Sequence, residues 1–161
     1  SMAQVITPIP SCSPPVLPLE ASAHMKIFKA AFLDIGLMQS LCGLPMNMED
    51  LNQNLLSIYR GGLAEQFIAQ ELRVTQDQGK LYYWQRPEKS SSAEIDFLAV
   101  KQGQVIPIEV KSGAAGRLRS LHLFLKQYPE TPFAYIFLDA PYQEPKDEKL
   151  IFMPLYFIHA A

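Results

Sequence analysis

The 161-residue sequence predicts an α/β fold in which helices flank a mixed sheet and the core elements follow the order α-β-β-β-α-β. An apolar stripe of helical period at 63–74 predicts the first helix, and two later segments with alternating polar and apolar residues surround a Gln102-Gly103 turn. The nearly continuous apolar run at 133–139 has the length of a strand that is covered on both faces. The chain is long enough for one such domain, with room for an appendage.

The N-terminal region differs in composition from the rest of the chain. Residues 1–22 are predicted to form a leader or linker rather than a core element, because they contain five prolines: Pro8, Pro10, Pro14, Pro15 and Pro18. Residues 23–57 are interpreted as a bridging segment. Its predicted elements are a strand at 26–33, a helix from Asp34 to about Cys42, and a helix at 49–59. The core domain is therefore predicted to cover 58–161.

The core domain contains the remaining predicted elements. Its helix at 63–74 follows Gly61-Gly62 and carries Glu65 at the margin of the apolar stripe. The later elements are a strand at 81–86, a polar loop at 87–92, strands at 93–101 and 104–112, a helix at 117–127, a strand at 133–139, and a strand followed by a loop at 149–158. Trp84 and its tyrosine neighbours are interpreted as sheet-packing residues, with base stacking as the alternative.

The overall charge argues against a strongly basic nucleic-acid-binding protein. The net charge is −2 and the pI is about 5.9, so no overall basic field attracts a phosphate backbone. Two cysteines and three scattered histidines give neither a disulfide framework nor a zinc-binding spacing. The sequence contains no signal-peptide pattern and no apolar run long enough for a membrane span, so a cytoplasmic location without a membrane partner is expected.

Two carboxylates are predicted to face each other across the hairpin that the alternating strands form. If Gln102-Gly103 is a two-residue loop, opposed residues have numbers that sum to 205, which places Asp96 across from Glu109 and Glu94 across from Lys111. Side chains opposed in this way have Cβ atoms about 5 Å apart, where like charges are destabilising. A carboxylate pair held at that cost points to a shared proton or cation, and therefore to a site.

The apolar residues of the hairpin are predicted to share its core face, which leaves the charged residues on the other face. They are Ile95, Phe97 and Ala99 from the first strand and Ile106, Ile108 and Val110 from the second. An alternative interpretation needs no site. Charged residues commonly line the wet face of a half-exposed sheet, and Glu94 and Lys111 would then form an ordinary cross-strand ion pair. That interpretation leaves the opposition of Asp96 and Glu109 unexplained.

The order of Glu65 on a helix, then Asp96, then Glu109-Val110-Lys111 resembles the PD-(D/E)xK nuclease superfamily, whose restriction-endonuclease-like core is also α-β-β-β-α-β. A narrower resemblance rests on five segments in order: KIFKAAFLDIGL, GGLAEQFIAQEL, LYYWQ, AEIDFLAV and IPIEVKSG. These segments are similar to the C-terminal domain of uncharacterised prokaryotic AAA-type ATPases. The resemblance covers about residues 26–158.

This resemblance implies a metal-dependent phosphodiesterase that acts on DNA or RNA. Asp96, Glu109, the Val110 carbonyl and Glu65 would hold Mg²⁺ or Mn²⁺, which prefer hard oxygen ligands. Lys111 would orient or help to deprotonate the attacking water, or neutralise the phosphate. The alternative is a catalytically silent module of the same fold that regulates the ATPase or binds a partner.

The sequence departs from these families at several positions. Ile95 stands where the superfamily's name has a proline, and the adjacent Gln127-Tyr128 does not match the glutamine-tyrosine motif of some branches. No GxxxxGK[ST] motif is present, so no ATP site of the Walker type is expected in these residues. The resemblance therefore implies that the ATPase region is a missing N-terminal part of the same protein and a partner of this domain.

Overall fold

The computed structural model describes residues 5–43, 53–76, 79–87, 93–113, 118–142 and 148–160. They form a seven-stranded mixed sheet with helices on both faces, so the predicted α/β class is confirmed. The strands are β1 (Ile6–Cys12), β2 (Ala23–Phe32), β3 (Tyr82–Gln85), β4 (Glu94–Lys101), β5 (Gln104–Lys111), β6 (Ala134–Leu138) and β7 (Leu150–Pro154). The α-helices are α1 (Ile35–Leu41), α2 (Gln53–Thr75) and α3 (Arg119–Gln127), and the run α2-β3-β4-β5-α3-β6 has the predicted core order.

The sheet places β5 between its hairpin partner and a parallel strand. The strands lie side by side in the order β2-β1-β3-β4-β5-β6-β7. The pairs β1–β2, β3–β4 and β4–β5 are antiparallel, whereas β1–β3, β5–β6 and β6–β7 are parallel. All residues of β6 are buried, as predicted for a strand covered on both faces.

Two hydrophobic clusters hold the helices against the sheet. On one face α2 packs through residues such as Ile68 against Phe97. On the other face α3 packs through Phe124 against Trp84 and Ile136. Trp84 is fully buried and meets the Phe124 ring edge-to-face, with 5.2 Å between the ring centroids. The interpretation of Trp84 as a packing residue is therefore confirmed.

The proline-rich leader contains a strand, which corrects its prediction as a connector. β1 pairs with β2 from Ile6 to Cys12, and Ile9 and Cys12 are buried. Residues two apart on a strand direct their N–H groups to the same edge, so Pro8 and Pro10 remove donors from one edge only. The other edge keeps its donors for β2, and the sheet continues across the predicted boundaries at residues 22 and 57. The assignment of 58–161 as the core domain stays a prediction.

One continuous helix replaces the two that were predicted on either side of Gly61-Gly62. α2 runs from Gln53 to Thr75. Three parts of the predicted elements lie outside the described residues: 49–52 of the first predicted helix, residue 117 of the later helix, and most of the loop at 87–92. Each interior glycine costs about 1 kcal/mol relative to alanine, and burial of residues such as Ile68 outweighs that cost. The predicted C-terminal loop is a 3₁₀ helix, Leu155–Ala160. None of the helices in the described ranges is long and apolar enough to cross a membrane.

Candidate active site

The hairpin formed by β4 and β5 has the predicted register. Its loop residues Gln102 and Gly103 have positive φ angles of 52° and 73°, as two-residue loops of type I′ require. The paired residues run from Lys101 with Gln104 to Phe97 with Ile108, and the numbers of each pair sum to 205. Asp96 and Glu109 are the next residues of the two strands.

A β-bulge in β4 changes the faces of the residues around Asp96. The register between β3 and β4 shifts, so that three steps from Ile95 to Leu98 match two steps along β3. Ile95 therefore packs with Leu98 in the cluster next to α3, whereas Phe97 and Ala99 pack in the cluster next to α2. The prediction that Ile95 shares a face with Phe97 and Ala99 is wrong for this reason.

The Asp96 carboxylate reaches across to β5. Its Oδ2 accepts a hydrogen bond from the backbone N–H of Val110 at 2.8 Å. The side chains of Asp96 and Glu109 are only 14% and 9% exposed, so they do not lie on the wet sheet face that the alternative interpretation assumes. Both carboxylates are therefore largely buried. A buried ionised group is destabilising unless it is paired or bound to a cation.

Lys111 pairs with Glu109 of its own strand. The Lys111 Nζ atom lies 2.6 Å from Glu109 Oε1, because residues two apart on a strand point to the same face. The other oxygen, Glu109 Oε2, is buried and has no hydrogen-bond partner among the described residues. A buried carboxylate oxygen without a donor is destabilising unless a ligand satisfies it.

One residue of the site was not predicted from the sequence: Lys29 in β2. Its ammonium group forms an ion pair with Glu94 and lies 3.5 Å from Asp96 Oδ1 and 4.0 Å from Glu65 Oε2. Three carboxylates from two elements thus surround one ammonium group. The ion pair between Glu94 and Lys111 that the alternative interpretation requires does not form, since Glu94 pairs with Lys29 and Lys111 pairs with Glu109.

Helix α2 brings Glu65 to the same group of charges. The next residue, Gln66, is buried and binds the Phe32 backbone twice: its Oε1 accepts from the N–H and its Nε2 donates to the carbonyl, both at 2.9 Å. Phe32 lies three residues after Lys29 in β2. This double contact fixes β2 against α2 at the place where Lys29 and Glu65 approach each other.

The charged cluster is the set of four carboxylates and two ammonium groups described above: Glu65, Glu94, Asp96, Glu109, Lys29 and Lys111. The Glu65 side chain is 43% exposed, and its partial burial raises its pKa to about 7; the charge of Asp96 adds to this shift while Lys29 opposes it. Burial, followed by the charge of Asp96, also raises the pKa of Glu109 against the effect of Lys111. Burial lowers the pKa of Lys29, but the carboxylates led by Asp96 outweigh it and raise that pKa above its ordinary value.

A protein-family model described as a domain of unknown function (DUF4143) matches residues 60–158, which is more than half of the chain. The chain belongs to this family. Glu65, Asp96, Glu109 and Lys111 lie within the residues matched by the DUF4143 model, whereas Lys29 lies outside them. Neither the curated proteins nor the solved structures gave a match.

The charged cluster of this DUF4143 chain offers donors that suit a hard divalent cation. When all its members are ionised, the four carboxylates exceed the two ammonium groups by the charge of one such ion. Glu109 Oε2 is free to bind, and carboxylate and carbonyl oxygens are the ligands that Mg²⁺ prefers. In the part of the chain that the structure describes, no three acidic, histidine or cysteine side chains already form a metal-binding group. The acids of the charged cluster therefore suit a divalent ion such as Mg²⁺ that keeps several of its water ligands. The role of Glu65 as a ligand stays a prediction.

Replacing Glu65 by glutamine is expected to stabilise the protein above pH 7. The folded-state pKa of Glu65 is about 7 against an ordinary value of 4.5, so between these values the folded chain binds more protons than the unfolded chain. The free energy of unfolding therefore falls as the pH rises through this window, and Glu65→Gln removes that fall. Melting temperatures measured from about pH 5 to about pH 8 should show a gain for the variant that grows with pH and then levels off.

Burial is the largest cause of this shift. The charged groups that add to it are Asp96, Glu94 and Glu109, which disfavour the ionised form, whereas Lys29 favours that form. Glu130→Gln is the matched control, because Glu130 is exposed in the turn after α3. A Glu65→Gln protein that is less stable than the wild type at pH 8 would show that the attraction by Lys29 outweighs the repulsion by the acids.

Proposed function

We propose that this chain is the nuclease-like C-terminal domain of an AAA-type ATPase, with a restriction-endonuclease-like core of the PD-(D/E)xK superfamily. Its proposed activity is metal-dependent hydrolysis of phosphodiester bonds in nucleic acid. One observation carries the proposal: the Asp96 carboxylate accepts a hydrogen bond from the backbone N–H of Val110, the residue between Glu109 and Lys111. The two acids and the lysine that the family resemblance implies thus lie next to one another, on the strands expected to carry them.

The proposed ligands of Mg²⁺ or Mn²⁺ are Asp96, Glu109 and the Val110 carbonyl, with Glu65 bound directly or through water. The Val110 N–H orients the Asp96 carboxylate through Oδ2, and Oδ1, which faces the Lys29 ammonium group at 3.5 Å, is the oxygen that would bind the metal. When bound, such an ion would supply Lewis-acid polarisation of the phosphate and a more acidic water. Partial burial of both carboxylates strengthens their electrostatic attraction for a cation.

Lys111 is the proposed group for contact with water or phosphate. Its side chain is 30% exposed, and Glu109 Oε1 holds its Nζ atom at 2.6 Å. An ammonium group fixed in this way can donate to the attacking water or to a phosphate oxygen, where negative charge develops in the transition state. The pairing with Glu109 positions Lys111 without a large loss of side-chain freedom at the moment of reaction.

The second candidate is a catalytically silent module that regulates the ATPase or binds a partner. Two observations favour it. The acids of the cluster already have two lysines as partners, and the chain as a whole carries a net charge of −2. A polyanion is not attracted to such a surface by charge alone. If nucleic acid is the substrate, we propose that a basic surface that binds it lies on the ATPase region of the same protein. The proposed location of the protein is the cytoplasm.

A cleavage assay separates the two candidates. The purified chain, and the longer protein that includes the ATPase region, would be incubated with plasmid, single-stranded DNA, branched DNA and RNA in Mg²⁺ or Mn²⁺. Cleavage is expected, and Asp96→Ala should reduce its rate by at least about 100-fold because a metal ligand is lost. Glu130→Gln, prepared in the same way, should leave the rate unchanged, whereas cleavage that persists in Asp96→Ala would come from a contaminating nuclease. No cleavage of any substrate by the longer protein would contradict the enzyme and favour the silent module.

A further inference from the structure

Lys29 enters the charged cluster from an element outside the residues matched by the family model. It lies in β2, an edge strand of the sheet, and its side chain is 24% exposed. Besides its ion pair with Glu94, it approaches Asp96 Oδ1 at 3.5 Å and Glu65 Oε2 at 4.0 Å. Asp96 and Glu65 are both members of the proposed ligand set. The oxygen of Asp96 that faces Lys29 is the one that its backbone hydrogen bond leaves free.

Several contacts keep the Lys29 ammonium group in this position. It lies over the Tyr83 ring, 5.1 Å from the centroid, so a cation–π contact adds to the ion pairs. The double hydrogen bond from Gln66 to Phe32 holds β2 against α2 a short distance along the strand. Lys29 is therefore part of the folded site and not a mobile surface lysine.

A divalent cation bound by Asp96 would lie close to this ammonium group. The cation and the Lys29 ammonium group would repel each other, and their partial burial would reduce the screening of this repulsion by water. Glu94 is outside the proposed ligand set and its side chain is 36% exposed. It can therefore keep Lys29 as a partner while Asp96 and Glu65 turn to a metal.

We propose that Lys29 is a built-in competitor of the divalent cation: its ammonium group neutralises the acids of the metal-free cluster and thereby sets how tightly the cluster binds metal. This inference rests on the proposed metal site. Under this inference, the strand pair β1–β2, which lies outside the residues matched by the family model, controls the affinity of the cluster for the cation. Lys29 acts through Asp96 and Glu65 and is in this sense a positioning residue.

The test is a titration of the intact chain with Mn²⁺, in which electron paramagnetic resonance measures the free ion. Lys29→Met is expected to bind Mn²⁺ more tightly than the wild type by roughly tenfold or more, because one positive charge next to the ion is removed. Lys29→Arg keeps the charge and should bind with nearly wild-type affinity. Lys26→Met is the matched control, since Lys26 is an exposed lysine of the same strand. Lys29→Gln, which keeps a polar group, replaces Lys29→Met if that protein does not fold.

The outcomes separate this inference from the proposed function. The competition is supported if Lys29→Met binds Mn²⁺ more tightly than the wild type and if this gain disappears when Asp96→Asn is added to Lys29→Met. Equal or weaker binding by Lys29→Met, with clear binding by the wild type, overturns the role of Lys29 and leaves the metal site intact. No binding by either protein overturns both the competition and the metal site on which the proposed activity depends.

Discussion

Replacing Trp84 by alanine is expected to lower the free energy of unfolding by about 3–5 kcal/mol, the range for truncation of a large buried aromatic residue. The Trp84 side chain is fully buried between β3 and α3, and its ring contacts Phe124 and Tyr128 with centroid distances of 5.2 Å and 6.2 Å. Its Nε1–H donates to the Tyr128 hydroxyl at 3.3 Å. Alanine would remove these contacts and leave a cavity, so the midpoint of urea unfolding should fall sharply.

Two further variants define the cause of that loss. Trp84→Phe keeps an aromatic ring against Phe124 and should be clearly more stable than Trp84→Ala, although the hydrogen bond to Tyr128 is lost. Tyr142→Ala removes an aromatic side chain that is 55% exposed and should change stability by less than about 0.5 kcal/mol. A Trp84→Ala protein as stable as Tyr142→Ala would mean that α3 does not depend on this packing.

The hairpin and the identity of its acids could be predicted because their signals are local. Alternating side chains and the Gln102-Gly103 turn fix the register of β4 and β5, so the numbers of paired residues follow from the loop alone. The capping of α1 by Asp34, whose Oδ1 accepts from the Leu37 N–H at 2.9 Å, is local in the same sense. Each of these features depends on residues a few positions apart.

The remaining features depend on contacts between distant segments, which the sequence pattern does not encode. The bulge that turns Ile95 away from Phe97 is created by pairing with β3, and β1 is a strand because β2 and β3 provide edges for it. A lysine in the apolar run 26–33 was a signal, since buried lysines need partners. That signal does not say which carboxylates the lysine meets, because Lys29 and Asp96 are brought together only by the order of the strands.

Addition of Mg²⁺ or Mn²⁺ is expected to raise the melting temperature of the wild type, and Asp96→Asn should abolish that rise. A ligand that binds only the folded state stabilises it by about 2.7 kcal/mol at a concentration one hundred times its dissociation constant. The unpartnered Glu109 Oε2 and the uncompensated negative charge of the cluster are the features that a bound cation would satisfy. Asparagine keeps a carbonyl oxygen for the Val110 N–H, so the variant removes the charge with little change of the backbone contact.

Asp34→Asn is the matched control for this experiment. Asp34 also accepts a backbone N–H through its carboxylate, but it caps α1 and is exposed, so its variant should keep the full metal-dependent rise. A rise that survives in Asp96→Asn would place the bound ion elsewhere in the chain. A melting temperature of the wild type that millimolar metal does not change would instead favour the interpretation of the acids as ion-pair partners of Lys29 and Lys111, because the cluster would then need no further cation.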